Sequence, residues 1–239
     1  MGFYGLYFDP MYFVFIIPAA LLALFAQWRV KSSYAKWGQV TNSHNMTGAD
    51  VAHVLLPHEH LDIVPVQEIP GVLSDNYDPQ QNVLHLSQQV AEQPSIASMC
   101  ITAHEIGHAE QDRDGYIWMK LRGGIVPFVG IGSSVGYLVF FGGLLMQIPA
   151  IAWIGILLVS GGAIFSLVTL PVEINASVRA MRMLNENGLI SSPEERGAMR
   201  DMLGAAALTY VAAAAQSVSV ILYYIFLLMG SNNSRRRNS

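Results

Sequence analysis

The sequence predicts a mainly α-helical integral membrane protein, with four transmembrane helices and a small α+β insert between the first and the second. Three observations predict this class: 52% of the 239 residues are hydrophobic, only 13% are charged, and the apolar residues are concentrated in long runs. A hydrocarbon core about 30 Å thick requires about 20 helical residues, whose backbone groups must be satisfied within the segment. Four runs without a charged residue meet this requirement, at 11–28, 125–146, 150–172 and 205–229.

Each apolar run has a simpler explanation that must be weighed. A buried core helix could account for any one of them, but four such helices are hard to bury in so small a soluble protein. The first run could be a cleaved signal peptide, yet it has no basic segment before it and no small-residue cleavage site after it. We therefore expect a retained anchor.

Basic residues predict the orientation. Several of them lie between the first and second spans, among them Arg29, Lys31, Lys36, Lys120 and Arg122, and four lie between the third and fourth (Arg179, Arg182, Arg196, Arg200). The positive-inside rule then places the amino terminus outside and both polar segments in the cytoplasm, at the plasma membrane. Only the arginines at 235–237 oppose this orientation. The net charge of −4 and the absence of a polybasic face argue against a nucleic-acid partner.

These features divide the chain into six segments. Residues 1–29 hold the N-terminal tail and first transmembrane helix, 30–123 the α+β segment, and 124–172 the second and third transmembrane helices. Residues 173–204 form a helical extension and linker, 205–230 the fourth transmembrane helix, and 231–239 a tail rich in Ser, Asn and Arg. We expect the tail to be disordered because it has too few apolar residues to pack.

Local patterns predict the elements of the α+β segment. Thr47 followed by Asp50 is typical of a helix N-cap, and we expect this helix to run to Leu56, where Pro57 stops it. Two strands are predicted at 63–69 and 83–87, separated by turn residues at 71, 75–76 and 78–79. A second helix is predicted from Ser95 to about residue 114, with a glycine at its end.

The run His104-Glu105-Ile106-Gly107-His108 lies in this second helix. Positions i and i+4 share a helix face, so both histidines can bind one ion at about 2.0–2.1 Å. Glu105 lies on the adjacent face, where it can accept a proton from a metal-bound water. This is the physical meaning of the H-E-x-x-H pattern, which indicates a zinc-dependent hydrolase. The simpler alternative is a pair of surface histidines on an amphipathic helix.

A catalytic zinc site needs a third protein ligand. No Asp, Glu or His occurs from 115 through 172, which leaves Glu173, at the end of the third span, as the best candidate. A carboxylate near hydrocarbon is costly unless it is paired or metal-bound. The alternative is an interfacial glutamate paired with Arg179 or Lys120. One helical turn rises about 5.4 Å, so Cys100 cannot reach the same ion, and we expect it to be a small buried residue. Five other histidines are expected to be solvated: His44, His53, His58, His60 and His85.

Residues along nearly the whole chain carry a resemblance to a known family. They are the runs at 8–10 (Phe-Asp-Pro), 47–49 (Thr-Gly-Ala), 77–79 (Tyr-Asp-Pro), 103–109, 170–173 (Leu-Pro-Val-Glu), 175–177 (Asn-Ala-Ser) and 206–210 (Ala-Ala-Leu-Thr-Tyr). On these residues the chain resembles the YugP-type membrane zinc metallopeptidases and, more distantly, the HtpX and CAAX-prenyl endoprotease group. The resemblance implies a zincin-like insert, bound Zn²⁺, the ligands His104, His108 and Glu173, and Glu105 as the catalytic base.

The chain departs from the pattern of the wider group at two positions. There the third-ligand glutamate is followed four residues later by an aspartate that supports a ligand histidine, whereas this chain has Ser177 at that position, so Asn175 becomes a candidate for the supporting role. The family usually has a histidine before Tyr-Asp-Pro, where this chain has Asn76. The resemblance further suggests that substrate pairs with the strand at 83–87, if that strand lies at a sheet edge rather than in the interior.

Three functions are compatible with these features. The first is a zinc endopeptidase that cleaves membrane or membrane-proximal proteins, with a peptide substrate and the lipid bilayer as its partners and its active site facing the cytoplasm. The second is a non-enzymatic scaffold or assembly factor in which zinc clamps the insert to the third span. Solute transport is the weakest of the three, because the spans carry almost no ionisable residues that could line a route.

Overall fold

The structure is a computed structural model that describes residues 9–236, with side chains described for 9–230. Its helices are α1 (Pro10–Trp37), α2 (Gly48–His58), α3 (Gln88–Glu92), α4 (Ile96–Arg113), α5 (Ile117–Leu145), α6 (Pro149–Glu186) and α7 (Pro193–Arg236). Its strands are β1 (Val66–Ile69), β2 (Asn76–Asp78) and β3 (Val83–Ser87). Residues 1–8 of the expected N-terminal segment and residues 237–239 of the expected disordered tail lie outside the described residues, whereas residues 231–236, also expected to be disordered, continue α7 as helix.

Four helices of the described chain are long and apolar enough to cross a membrane: α1, α5, α6 and the part of α7 from Pro193 to Gly230. Their number and order match the four candidate spans predicted from the sequence. The helices extend beyond the apolar runs, since α5 begins at Ile117 and α7 begins at Pro193. The predicted spans are therefore the apolar portions of longer helices.

The chain divides into two compact units, and the first contains most of these apolar portions. It comprises the described parts of Met1–Ala26, Leu121–Thr169 and Thr209–Ser239. Here α5 packs against the start of α6 through glycines: a Cβ on Gly143 would lie 2.4 Å from the amide nitrogen of Ala152, and one on Gly155 would lie 2.4 Å from that of Phe140. Small residues permit such close backbone approach, which drives helix association in lipid.

The second unit comprises Gln27–Lys120 and Leu170–Leu208. Its core is built from fully buried side chains on several helices and on β3, among them Leu55, Leu84, Met99, Ile106 and Met183. The sheet has the order β1-β3-β2, with β1 parallel and β2 antiparallel to β3. The α+β character expected for this part of the chain is thus present.

The local predictions for α2 and the strands need three corrections. The capping box between Thr47 and Asp50 forms as expected, but α2 continues past Pro57 to His58, because a proline in the last turn costs only one backbone bond. The first strand starts at Val66 rather than at 63, since Pro65 has no N–H and the preceding residues form a turn. The strand β2 replaces a predicted turn, because Tyr77 packs its ring into the core.

The sequence left two alternatives for residues 83–87, a sheet edge that pairs with substrate or an interior strand, and the structure shows β3 as the interior strand. Both of its sides are hydrogen-bonded, one to β1 and one to β2. Four of its five residues are buried, which is typical of a strand covered on both faces.

The helix α4 has the ends that the sequence predicts, and α6 contains the expected helical extension. Ser95 caps α4, and Gly115 at its end has φ +64°, a conformation that favours glycine. The helix α6 continues without a break through Glu173 to Glu186 and is followed by Gly188 with φ +68°. The third apolar run is therefore continuous with the segment that carries Glu173.

Candidate metal centre

Three side chains from α4 and α6 meet within the second unit. His104 Nε2 lies 3.3 Å from Glu173 Oε2, and His108 Nε2 lies 3.6 Å from the same oxygen. One ligand atom from each of the three residues lies within 4.8 Å of the others, so within the described chain they form a group that could hold a metal ion. The structure thus brings together the three residues that the sequence identified as candidate ligands.

A glycine lets the two helices approach closely enough for this. A Cβ added to Gly107 would lie 2.7 Å from the carbonyl oxygen of Ala176 on α6, closer than a side chain tolerates. At the second variable position of the H-E-x-x-H run, the backbone of α6 therefore occupies the space that a side chain would need. This contact sets the distance at which Glu173 faces His104 and His108.

The carboxylate of Glu173 is buried, with 4% of the residue exposed. The alternative partner proposed for it, Arg179, forms salt bridges with Glu110 at 3.1 Å and with Asp114 at 2.7 Å. From the protein groups alone, burial lowers the pKa of the His108 imidazole, but its hydrogen bond to Glu173 and the charge of Glu105 raise the pKa above its usual value. The pocket is therefore negatively polarised and suited to a cation.

Glu105 is not one of the residues that could hold the ion, in keeping with its position on the adjacent helix face. Its Oε2 accepts a hydrogen bond from the backbone N–H of Tyr77 on β2, at 3.1 Å. Burial raises the pKa of the Glu105 carboxyl, and His108 and His104 offset this only in part. A carboxylate with a raised pKa is better suited to accept and return a proton than an exposed one.

The Nδ1 atoms of both histidines also have hydrogen-bond partners. Ser177 Oγ lies 3.4 Å from His104 Nδ1, and Gln111 Oε1 lies 3.0 Å from His108 Nδ1. Asn175, a candidate for supporting a histidine, contacts Gln111 rather than either ring. Gln111 was missed by the sequence reasoning, although its position three residues after His108 places it on the same helix face.

The remaining candidates lie elsewhere. Cys100 is 1% exposed and burial raises the pKa of its thiol to about 12, which fits the prediction of an inert buried residue. His44, His53, His58 and His60 are exposed, and His85 Nδ1 lies 3.2 Å from Asn76 Oδ1. The described structure places none of these in the metal-binding group.

The donor set fits zinc. Two imidazole nitrogens and one carboxylate are the protein ligands of one of the common catalytic zinc sites, in which a fourth position is left to water. Divalent ions that prefer oxygen, such as Ca²⁺ and Mg²⁺, are usually bound by several carboxylates and carbonyls instead. The chemistry of the three side chains therefore favours zinc over those ions.

Comparisons with known proteins agree with this chemistry. Residues 12–229 match the model of a family described as "Putative neutral zinc metallopeptidase". The chain is also 42% identical to the "Putative membrane protease YugP" of Bacillus subtilis (strain 168), over 209 residues that cover 87% of this chain and 92% of that relative. No solved structure matches the chain.

Proposed function

The chain belongs to this family of neutral zinc metallopeptidases, and on that premise we propose that it is a membrane-embedded endopeptidase that cleaves membrane or membrane-proximal proteins. Zinc is the cofactor, and His104, His108 and Glu173 are the proposed ligands in a gluzincin-like arrangement. The observation that carries the proposal is the convergence of these three side chains, two from α4 and one from α6, beside the carboxylate of Glu105.

The proposed mechanism assigns the proton transfers to Glu105. A bound zinc ion would lower the pKa of its water toward about 7 and polarise the scissile carbonyl. Glu105 accepts the proton of the attacking water and then donates it to the leaving amine, as a general base followed by a general acid. The backbone N–H of Tyr77 holds one oxygen of this carboxylate and so limits its rotation.

We place this activity at the cytoplasmic face of the plasma membrane, on the support of the basic residues that flank the spans. A single cysteine in place of Ile63, which is 81% exposed, would test the orientation in a Cys100→Ala background. A membrane-impermeant maleimide should label it in inverted vesicles and not in intact cells. Labelling in intact cells alone would refute the cytoplasmic placement.

Glu105→Gln separates hydrolysis from metal binding. The amide cannot accept a proton, so the variant should retain stoichiometric zinc and lose cleavage, whereas His104→Ala should lose the metal. Glu92→Gln is the matched control, because Glu92 is an exposed glutamate at the end of α3. In the native host, mass spectrometry of new protein N-termini in membranes should show peptides that depend on wild-type or Glu92→Gln protein and disappear with Glu105→Gln.

The same variant tests the scaffold alternative. A protein in which zinc only clamps α4 to α6 would work without the base, so Glu105→Gln would then complement a deletion strain fully. Wild-type levels of new N-termini in the Glu105→Gln strain would refute the proposed mechanism.

A further inference from the structure

A second set of hydrogen-bonded groups lies behind the proposed zinc ligands, and in each of its bonds the donor and the acceptor are fixed. Building on the proposed function, we infer that Gln111 is a positioning residue that holds His108 in the tautomer whose Nε2 is free to bind the metal. The inference depends on which groups in this layer can only donate a hydrogen bond and which can only accept one.

The orientation of the Gln111 amide is set by the backbone of α6. Its Nε2 lies 2.8 Å from the carbonyl oxygen of Val172, the residue that precedes Glu173. A carbonyl oxygen can only accept, so the amide nitrogen, and not the amide oxygen, must face it. The side-chain oxygen of Gln111 therefore points at His108 Nδ1, at 3.0 Å.

The guanidinium of Arg179 independently gives the same orientation for the Gln111 amide. The guanidinium of Arg179 can only donate, and its Nε lies 2.8 Å from Asn175 Oδ1. That oxygen also lies 2.9 Å from Gln111 Nε2, so it must accept from both groups. Arg179 is itself held by salt bridges to Asp114 and Glu110. Both N–H bonds of the Gln111 amide are thereby used, one by each acceptor.

The orientation of the Gln111 amide determines which ring nitrogen of His108 carries a hydrogen. Because the facing oxygen of Gln111 can only accept, Nδ1 of His108 must carry a hydrogen. The protonated ring donates from Nε2 to Glu173, whereas the neutral ring keeps only the hydrogen on Nδ1, so that Nε2 then has a free lone pair on the side that faces Glu173. Gln111 is fully buried, so reversing its amide would leave the Val172 carbonyl facing another oxygen without solvent to compensate.

The hydrogen bond at His104 Nδ1 can be compared with the one at His108 Nδ1. Its Nδ1 lies 3.4 Å from Ser177 Oγ, and the hydroxyl of Ser177 donates to the carbonyl oxygen of Glu173 at 2.8 Å. Here too the ring Nδ1 faces an oxygen that would accept its hydrogen. This contact is longer than the one between His108 and Gln111, however, and the Ser177 hydroxyl can rotate. We therefore expect Ser177 to matter less than Gln111.

The experiment uses full-length protein in detergent and measures zinc affinity by competition with a chelator. Gln111→Met keeps the approximate volume of the side chain and removes its hydrogen bonds, and it should weaken zinc binding about 10–100-fold. Gln111→Glu keeps an acceptor for His108 Nδ1–H, so it should bind zinc more tightly than Gln111→Met, although the Val172 carbonyl then faces a carboxylate oxygen and the protein should be less stable. Ser177→Ala should change the affinity by less than about 10-fold.

A spectroscopic measurement reports the tautomer directly. In zinc-free wild-type protein at about pH 9, the ¹⁵N shifts of His108 should show a protonated Nδ1, whereas Gln111→Met should show a mixture of tautomers. A merely space-filling role predicts that Gln111→Met leaves both readouts unchanged, and that result would overturn the inference. If Gln111→Met does not fold, an unprotonated Nδ1 in the wild-type spectrum would overturn it alone. Retention of zinc by His104→Ala would instead count against the proposed metal site itself.

Discussion

The substitution Gly107→Ala tests the geometry of the site most sharply, because it adds one methyl group where α4 meets α6. The new Cβ would lie 2.7 Å from the carbonyl oxygen of Ala176, whereas ordinary contacts begin at 3.4 Å. The helices must therefore separate locally by about 0.7 Å. Metal–ligand distances tolerate deviations of only about 0.2 Å, so the proposed ligands His104, His108 and Glu173 could no longer reach one ion.

We expect Gly107→Ala to weaken zinc binding more than about 100-fold, since displacement of a ligand costs more than loss of a supporting group. Overpacking of this kind should also lower the free energy of unfolding by about 1–3 kcal/mol. Gly197→Ala is the matched control, because Gly197 lies in α7 with no atom within 4 Å of its added Cβ. Zinc content after dialysis against a chelator gives the measurement. Wild-type zinc affinity in Gly107→Ala would refute the argument that this backbone contact sets the ligand spacing.

Four further predictions concern stability, each read from thermal unfolding in detergent. Thr47→Ala removes the N-cap of α2 and should cost about 1 kcal/mol, whereas a wild-type melting temperature would show that the cap contributes nothing. The backbone N–H of Thr47 lowers the pKa of Asp50, so the carboxylate stabilises the fold at neutral pH and its contribution is lost as pH falls through that lowered pKa. The melting difference between wild type and Asp50→Ala should thus shrink as the pH falls below the ordinary pKa of an aspartate, about 3.9, and through the lowered pKa. Arg182→Ala leaves the buried carboxylates of Glu110 and Glu59 without one of their cations and should cost about 1–3 kcal/mol, and an unchanged melting temperature would contradict this. Removal of zinc by a chelator should lower the stability by about 2.7 kcal/mol relative to protein at zinc 100-fold above its Kd, and no shift would argue against zinc binding to the folded state.

The parts of this protein that could be predicted from the sequence are those that depend on local sequence patterns. Long runs without charge identify the spanning helices, and the spacing of Thr47 and Asp50 predicts the capping box that forms. The stretch without acidic residues or histidines from 115 through 172 leaves Glu173 as a ligand candidate, and the structure brings it to the two histidines.

The parts that could not be predicted depend on contacts between distant segments. The strand β2 has a composition that favours a turn, and burial of Tyr77 in the core outweighs that preference. The place of β3 inside the sheet follows from pairing with β1 and β2, which no pattern within residues 83–87 specifies. The role inferred for Gln111 requires knowledge that the carbonyl of Val172 lies beside it, 61 positions further along the chain.

The separation of Glu173 from His104 along the chain, 69 positions, has a consequence for biosynthesis. A ribosome makes α4 long before it makes the end of α6, so a nascent chain shorter than 173 residues carries two of the proposed ligands and lacks the third. Tight zinc binding and peptide cleavage must then wait until the third apolar run has left the ribosome. On this assignment a protein that terminates before residue 173 lacks the third proposed ligand, and we expect it to be inactive.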